Sequence, residues 1–216
     1  MRLFLLRHGE SESNVKMVLT HSLGKWPLTV RGREQAKNVA REICEMKVSF
    51  DGVVISPLAR ARETFEIIAK NCPKIAKASQ KFSDRLIDAK MGVWNDKSWA
   101  KDPKLLEILR SRNKDRCREG FSRTHWLEGG ESFAELAARM SDFLREDLAG
   151  FSDDADILVV SSGDPMMILQ KIFVEILGKK LAIKYPDNAE IMEVEFSRSD
   201  DLEKLKKFRE ELRGER

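Results

Sequence analysis

Three short, uninterrupted apolar runs, Leu3-Phe4-Leu5-Leu6, Gly52-Val53-Val54-Ile55 and Ile157-Leu158-Val159-Val160, constrain this chain more than any other feature. A strand with one wet face alternates apolar and polar residues. A run that is apolar throughout must be covered on both faces, as the strands of a parallel sheet are. Helical patterns follow each run. From Thr29 to Met46, Val30, Ala36, Val39, Ala40 and Ile43 recur at helical spacing, with Thr29 placed to cap the start. Pro57 is placed to open the next helix and Pro73 to limit it. Ser132 followed by Glu135 is a capping box, and Phe133, Leu136, Ala137, Met140, Phe143, Leu144 and Leu148 form one apolar stripe that ends near Gly150. After the third run, Ser161-Ser162-Gly163-Asp164-Pro165 turns the chain into a helix reaching about Gly178. Ile191 to Phe196 alternates like an edge strand, and the tail from Asp200 reads as a solvated helix. The expected architecture is three-layer α/β, a mostly parallel sheet flanked by helices.

With 216 residues and no repeat or low-complexity linker, one domain over 1–216 is expected. A hydrophobic share of 42% removes the chain from the disordered class despite 35% charged residues. Lys and Arg total 39 against 36 Asp and Glu, so the net charge of +3 gives no global field for wrapping nucleic acid. Any anion preference must be local. Cys44, Cys72 and Cys117 leave one unpaired in any scheme and are expected as small core-filling residues in a reducing compartment. No signal-peptide pattern precedes the first run, and no apolar stretch approaches the ~18 residues of a membrane span. A cytoplasmic chain with no membrane partner is the expectation.

In open α/β sheets, ligands gather at the carboxyl ends of strands, and the polar residues fall there. Arg7-His8-Gly9 follows the first run, Ser56-Pro57-Leu58-Ala59-Arg60 the second and Ser161-Ser162-Gly163 the third. Arg7 and Arg60 are suited to grip phosphoryl oxygens with planar guanidinium forks, and Asn14 can donate one more hydrogen bond.

Arg7-His8-Gly9-Glu10-Ser11 with Asn14, Leu28-Thr29-x-x-Gly32-x-x-Gln35-Ala36, Ser56-Pro57-Leu58-x-Arg60-Ala61-x-x-Thr64 and Gly129-Gly130-Glu131-Ser132 occur in order. Together they resemble the histidine phosphatase superfamily, which includes cofactor-dependent phosphoglycerate mutases and many small phosphatases. The resemblance runs from residue 2 to about 165 and implies a phosphoglycerate mutase-like fold. It implies that His8 attacks phosphorus and becomes a phosphohistidine, while Arg7, Arg60 and Asn14 hold the equatorial oxygens. Ser11 and Gly163 are carried over as substrate-binding positions. The family's acidic proton donor maps by spacing onto Asp88, within Leu86-Ile87-Asp88 and ahead of Gly92-Val93-Trp94. Aspartate stands there in place of glutamate and reaches one methylene less far.

The sharper departure is at the third strand end, where the family reads Ser-His-Gly and this chain reads Ser161-Ser162-Gly163. Ser162 keeps a hydroxyl donor but brings no cation. Treated as the loss of one oxyanion donor, the change lowers turnover on the order of 10²–10³-fold, about 2.7–4 kcal/mol. The helix starting near Pro165 directs its N–H groups toward the same place. Asp164 is expected as its N-cap.

The remaining candidates carry blander readings. His21 and His125 are expected in loops, and Trp94, Trp99 and Trp126 in packing, as are Met166, Met167 and Met192. Glu131 either hydrogen-bonds within the site wall or favours a helix start. No His and Cys spacing suits a metal, so no metal and no cofactor are expected. Lys97 to Arg123 holds nine basic residues against four acidic ones, a local excess of five. It is read as a helical insertion or lid over about 95–128, either drawing in a phosphorylated small molecule or forming a solvated face. The short loop from Asn14 to Leu28 is closer to the small phosphatases than to the longer mutases, although Lys25 stands near the place where many members carry an acid. Three activities fit: a phosphomonoester hydrolase impaired by Ser162, a 2,3-bisphosphoglycerate-dependent phosphoglycerate mutase, or a weak or inactive phosphate-binding pseudophosphatase.

Overall fold

A computed structural model describes residues 1–214. In chain order the elements are β1 (Arg2–Arg7), α1 (Glu12–Val15), β2 (Val18–Leu19), α2 (Val30–Glu45), β3 (Gly52–Ile55), α3 (Ala59–Asn71), α4 (Pro73–Ala76), β4 (Ser79–Phe82), β5 (Lys97–Ser98), α5 (Pro103–Arg116), α6 (Phe133–Asp142), β6 (Asp156–Ser161), α7 (Gly163–Lys171), β7 (Ile191–Glu195) and α8 (Arg198–Gly214). The main sheet runs β4-β3-β6-β1-β7; its first four strands are parallel, and β7 closes the edge antiparallel to β1. β2 and β5 form a separate two-stranded ladder.

Successive strand residues point to opposite faces, so the apolar runs feed two cores. Phe4, Leu6, Val53, Ile55, Leu158 and Val160 pack against α2 and α3. Leu3, Leu5, Val54, Ile157 and Val159 face α6 and α7 on the other side. Each such side chain contributes about 1.5–3 kcal/mol when fully buried. This is the three-layer, mainly parallel sheet that the sequence predicts.

The local signals divide. Thr29 caps α2 by accepting from the Gly32 N–H, and Ser132 with Glu135 closes the capping box of α6. The α6 stripe is buried throughout, its later residues on a wider-turn continuation over Phe143–Asp147. Val30, by contrast, is exposed. α3 begins two residues after Pro57, and Pro73 opens the short α4. The tail is not simply solvated, because Asp201, Leu205 and Phe208 bury one face of α8. Cys44 and Cys72, expected unpaired, are joined in a disulfide with Cα atoms 5.7 Å apart, because the last turn of α2 lies beside the C-terminal cap of α3. Cys117 is exposed rather than core-filling. The cysteine argument for a reducing compartment therefore fails. Among the described residues, no helix is long and apolar enough to cross a membrane.

Candidate functional site

The carboxyl ends of β1, β3 and β6 open into one cavity of about 530 Å³, with helix α5 along its far side. The first strand end is set by backbone contact. A Cβ on Gly9 would lie 2.5 Å from the Gly32 carbonyl oxygen, and one on Gly32 would lie 1.9 Å from that of Glu10. Only glycine at both positions lets the loop after β1 seat on the start of α2. The Gly9 N–H also donates to Thr64 Oγ1 at 3.1 Å, tying that loop to α3.

His8 is buried, with both ring nitrogens engaged. Nδ1 lies 2.7 Å from the Gly9 carbonyl, which can only accept, so the proton sits on Nδ1. Nε2 then carries the lone pair and accepts from Arg60 Nε at 2.9 Å. Burial, then the charges of Arg60 and Arg7, push the imidazole well below its ordinary 6.5. It is neutral at pH 7.

Arg60 joins the other strand ends. Its Nη2 donates to the Thr20 carbonyl at 3.2 Å, Asp88 Oδ2 at 3.0 Å and Ser162 Oγ at 3.2 Å. Its Nη1 is buried without a partner among the described residues, as is Arg7 Nε. Buried guanidinium donors are normally satisfied. With Arg116 Nε, three such donors belong to arginines lining one cavity, an arrangement suited to an anion. Arg7 Nη1 donates to the Pro186 carbonyl at 2.7 Å, and its guanidinium lies over Tyr185, 5.1 Å from the ring centroid. Asn14, which lines the cavity, accepts through Oδ1 from the Ser11 N–H and hydroxyl and from Asn188 Nδ2.

Asp88 accepts from Arg60 and, through Oδ1, from the Ala89 N–H at 3.0 Å. Burial raises its carboxyl above 3.8, with the Asp164 charge adding to the rise and Arg60 opposing it. The turn carrying it is held from behind: Arg139 donates to the carbonyls of Arg85 at 2.5 Å and Ile87 at 2.6 Å. Glu131 orients Arg139 through contacts of 3.0 and 2.6 Å. Of the two readings open for Glu131, the wall contact is the one observed.

Arg7, His8, Asn14, Arg60, Asp88 and Gly163 line the cavity, and Ser11 and Ser162 do not. Ser11 is fully buried as the N-cap of α1, its hydroxyl 2.8 Å from that of Ser13. Ser11, expected at the substrate, bonds Asn14 and is not among the residues lining the cavity. Ser162 is also fully buried, its hydroxyl against Arg60 beneath the cavity floor. Ser162, not Asp164, holds the N-cap position of α7. Asp164 instead accepts from Arg112 at 2.5 Å and Arg116 at 3.1 Å, both from α5. Burial opposes its ionisation, but the two arginines prevail and lower its pKa.

Several site residues escaped the sequence reading. Tyr185 lies between Arg7 and Arg116, and its hydroxyl sits where a Cβ on residue 163 would be 2.2 Å away. Asn188 donates to the His8 carbonyl at 3.2 Å. Neither lies in a regular element whose periodicity could mark it. Arg112 and Arg116 do carry a signal, since Leu105, Leu109, Arg112 and Arg116 follow one helical stripe. Asp96, at φ 60°, gathers the rim by accepting from Thr20, Ser22, Lys25 and Trp26 side chains at 2.7–2.8 Å. Trp99, expected in packing, also lines the cavity, while His21 and His125 stay outside it. Among the described residues, no three His, Cys, Asp or Glu side chains cluster as metal ligands would.

Comparison with known proteins adds an independent line. The family described as "Histidine phosphatase superfamily (branch 1)" matches residues 3–208. A broad-specificity phosphatase of Saccharomyces cerevisiae is 28% identical over 173 residues, covering 79% of this chain and 69% of that protein. A 2,3-bisphosphoglycerate-dependent phosphoglycerate mutase of a Bradyrhizobium species is 30% identical over 201 residues, 85% of this chain and 88% of its own. The solved structure of a putative alpha-ribazole-5'-P phosphatase from Escherichia coli superposes with a TM-score of 0.61 at 26% identity, covering 83% of this chain and 81% of that one.

Proposed function

The chain belongs to branch 1 of the histidine phosphatase superfamily, and we propose that within it this protein is a phosphomonoester hydrolase working through a phosphohistidine on His8. The observation that carries the reading is the neutral imidazole of His8, its proton fixed on Nδ1, beside two guanidinium groups that each keep a buried donor unpartnered. In this reading Arg7, Arg60 and Asn14 bind the phosphoryl oxygens. Binding draws Arg60 off Nε2, whose lone pair then attacks phosphorus as the ester P–O bond breaks. Asp88, its pKa raised, protonates the departing alkoxide. The phosphoimidazolium keeps its Nδ1 proton on the Gly9 carbonyl. Water then attacks phosphorus, gives its proton to the Asp88 carboxylate, and releases neutral His8 and phosphate. Ser162 stands in for the family's second histidine and supplies no charge. The substrate is a small phosphorylated molecule, and no cofactor takes part.

Two observations bear on the rival readings. A phosphoglycerate mutase must bind a second anionic group, and of the α5 arginines lining the cavity, Arg112 and Arg116 each give one nitrogen to Asp164 while Arg110 is exposed. The Arg60 contact on Nε2 favours a binding-only role if it persists with phosphate bound. Incubation with phenyl phosphate, followed by alkaline quench and intact mass measurement, tests the proposal. An added phosphoryl group absent from His8→Asn, together with phosphate release, is expected. Phosphate binding with neither signal would overturn hydrolysis in favour of the pseudophosphatase.

A further inference from the structure

The end of β6 brings no side-chain hydrogen-bond donor of its own into the cavity. Ser161 donates to the Leu86 carbonyl, Ser162 is buried with its hydroxyl against Arg60, and Gly163 has no side chain. Asp164 accepts through both carboxylate oxygens from Arg112 and Arg116. The space that a side chain on residue 163 would fill is taken by the tip of Tyr185: a Cβ there would lie 2.2 Å from the phenol oxygen and 2.3 Å from Cζ. Tyr185 and Gly163 line the same cavity as Arg7 and His8. A hydroxyl carried on the segment before β7 thus reaches the third strand end.

The backbone on either side of Tyr185 is fixed. The Lys184 N–H donates to Oε1 of the buried Gln170 on α7 at 2.9 Å, and the Pro186 carbonyl accepts from Arg7 Nη1 at 2.7 Å. The ring meets two guanidinium groups, Arg7 at 5.1 Å and Arg116 at 4.2 Å from its centroid. Arg7 is also an arginine whose buried Nε has no partner among the described residues, so an anion taken by that donor arrives beside the phenol. Among the described residues the Tyr185 hydroxyl itself has no hydrogen-bond partner. Burial of the hydroxyl end, then the Asp164 charge, push the phenol up to about 12. It keeps its proton near neutral pH, able to donate one hydrogen bond but too weak an acid to replace Asp88.

We infer that Tyr185 is a further phosphoryl ligand, its hydroxyl donating from the β6 side to an oxygen of the group that Arg7 and Arg60 bind. The inference rests on the anion-binding end of the proposed function, but not on catalytic turnover. The donor is preorganised, because the segment that carries it is anchored to α7 and to Arg7 before any ligand enters. The same contact gives Gly163 its role, since any larger residue there would push the hydroxyl away.

Tyr185→Phe tests this on the whole chain, because it keeps the ring and removes only the hydroxyl. Isothermal titration with inorganic phosphate is expected to show affinity lowered about tenfold, the worth of one hydrogen bond to a charged acceptor. If the ring served only to place Arg7 by stacking, phenylalanine would do as well, so unchanged affinity in the folded variant would overturn the inference. Tyr185 is the sole tyrosine of the chain, and 3-fluorotyrosine in its place gives a single fluorine NMR signal. That signal should move with phosphate saturation; a signal unmoved at saturation would overturn the inference even if Tyr185→Phe does not fold. Weakened phosphate binding in Tyr185→Phe without a phosphoenzyme in the unaltered protein would leave the inference standing and remove hydrolysis. No binding of phosphate by the unaltered protein would remove both.

Discussion

Arg60 Nε lies 2.9 Å from His8 Nε2, while the Gly9 carbonyl lies 2.7 Å from Nδ1, so both imidazole nitrogens are committed before phosphate arrives. The guanidinium holding the lone pair also carries a buried donor with no partner among the described residues. In the proposed reaction a phosphoryl oxygen satisfies that donor and draws the guanidinium off the ring in the same movement. Arg60→Lys removes the fork that makes this exchange and leaves a single point charge. Phosphate affinity is expected to fall at least tenfold, about 1.4 kcal/mol, and kcat on the order of 10²-fold. Isothermal titration and steady-state kinetics with phenyl phosphate check this; a lysine variant with unchanged kcat would refute the exchange.

Stability should weaken on mild acidification. His8, pushed well below 6.5 by burial and by Arg60 and Arg7, is neutral when folded but takes up a proton below 6.5 when unfolded. Its contribution is full above 6.5 and declines as pH falls toward the folded value, with a slope of up to about 1.4 kcal/mol per pH unit. Burial of His21 adds the same sign. Asp88, raised above 3.8, gives the opposite slope between 3.8 and its folded value. Urea midpoints measured from pH 7.5 to 5 should fall, and more shallowly in His8→Asn. Parallel curves would contradict the assignment.

Ser162→His tests the floor of the cavity. The serine is fully buried, with its hydroxyl 3.2 Å from Arg60 Nη2, and an imidazole there must displace that contact and reach the phosphoryl group. Turnover should rise on the order of 10²-fold, the worth of one restored charged donor. Single-turnover rates with phenyl phosphate measure it, and a fall in kcat would place the lost contact above the gained one.

Arg139 is a positioning residue. It touches carbonyls of the turn bearing Asp88 and is oriented by Glu131, whose side chain is only 7% exposed. Arg139→Gln should lower stability by about 2–3 kcal/mol by leaving that carboxylate unpaired. It should also lower kcat severalfold with KM nearly unchanged and shift the alkaline limb of the pH profile, which follows Asp88. Loss of stability with an unmoved limb would leave it a purely structural residue.

β1, β3 and β6 were legible because strands covered on both faces must be apolar at every position, and their polar ends then stood out. The capping signals at Thr29 and Ser132 were local and held. β4 gave no such signal: all four of its residues are exposed, and backbone pairing alone makes it a strand. Asp164 was misread because a capping position is judged from neighbours in sequence, whereas its partners come from a helix some fifty residues away. Tyr185 and Asn188 depend on the packing of an irregular segment against β1, which periodicity does not encode. The Cys44–Cys72 pair is likewise a product of how α2 and α3 pack.

The Asp96 hub divides the molecule energetically. The sheet is held by apolar burial, but the rim joins residues 18–26 to 91–98 through the Asp96 carboxylate, hydrogen bonds of Asn95 and His21, and a two-residue ladder. Such polar links are individually worth on the order of 1 kcal/mol, far less than opening a strand such as β6. The rim is therefore a separate cooperative unit, able to exchange its amide hydrogens while the sheet stays closed. Amide exchange of residues 18–26 and 91–98 is consequently governed by a local opening equilibrium rather than by the global stability of the fold.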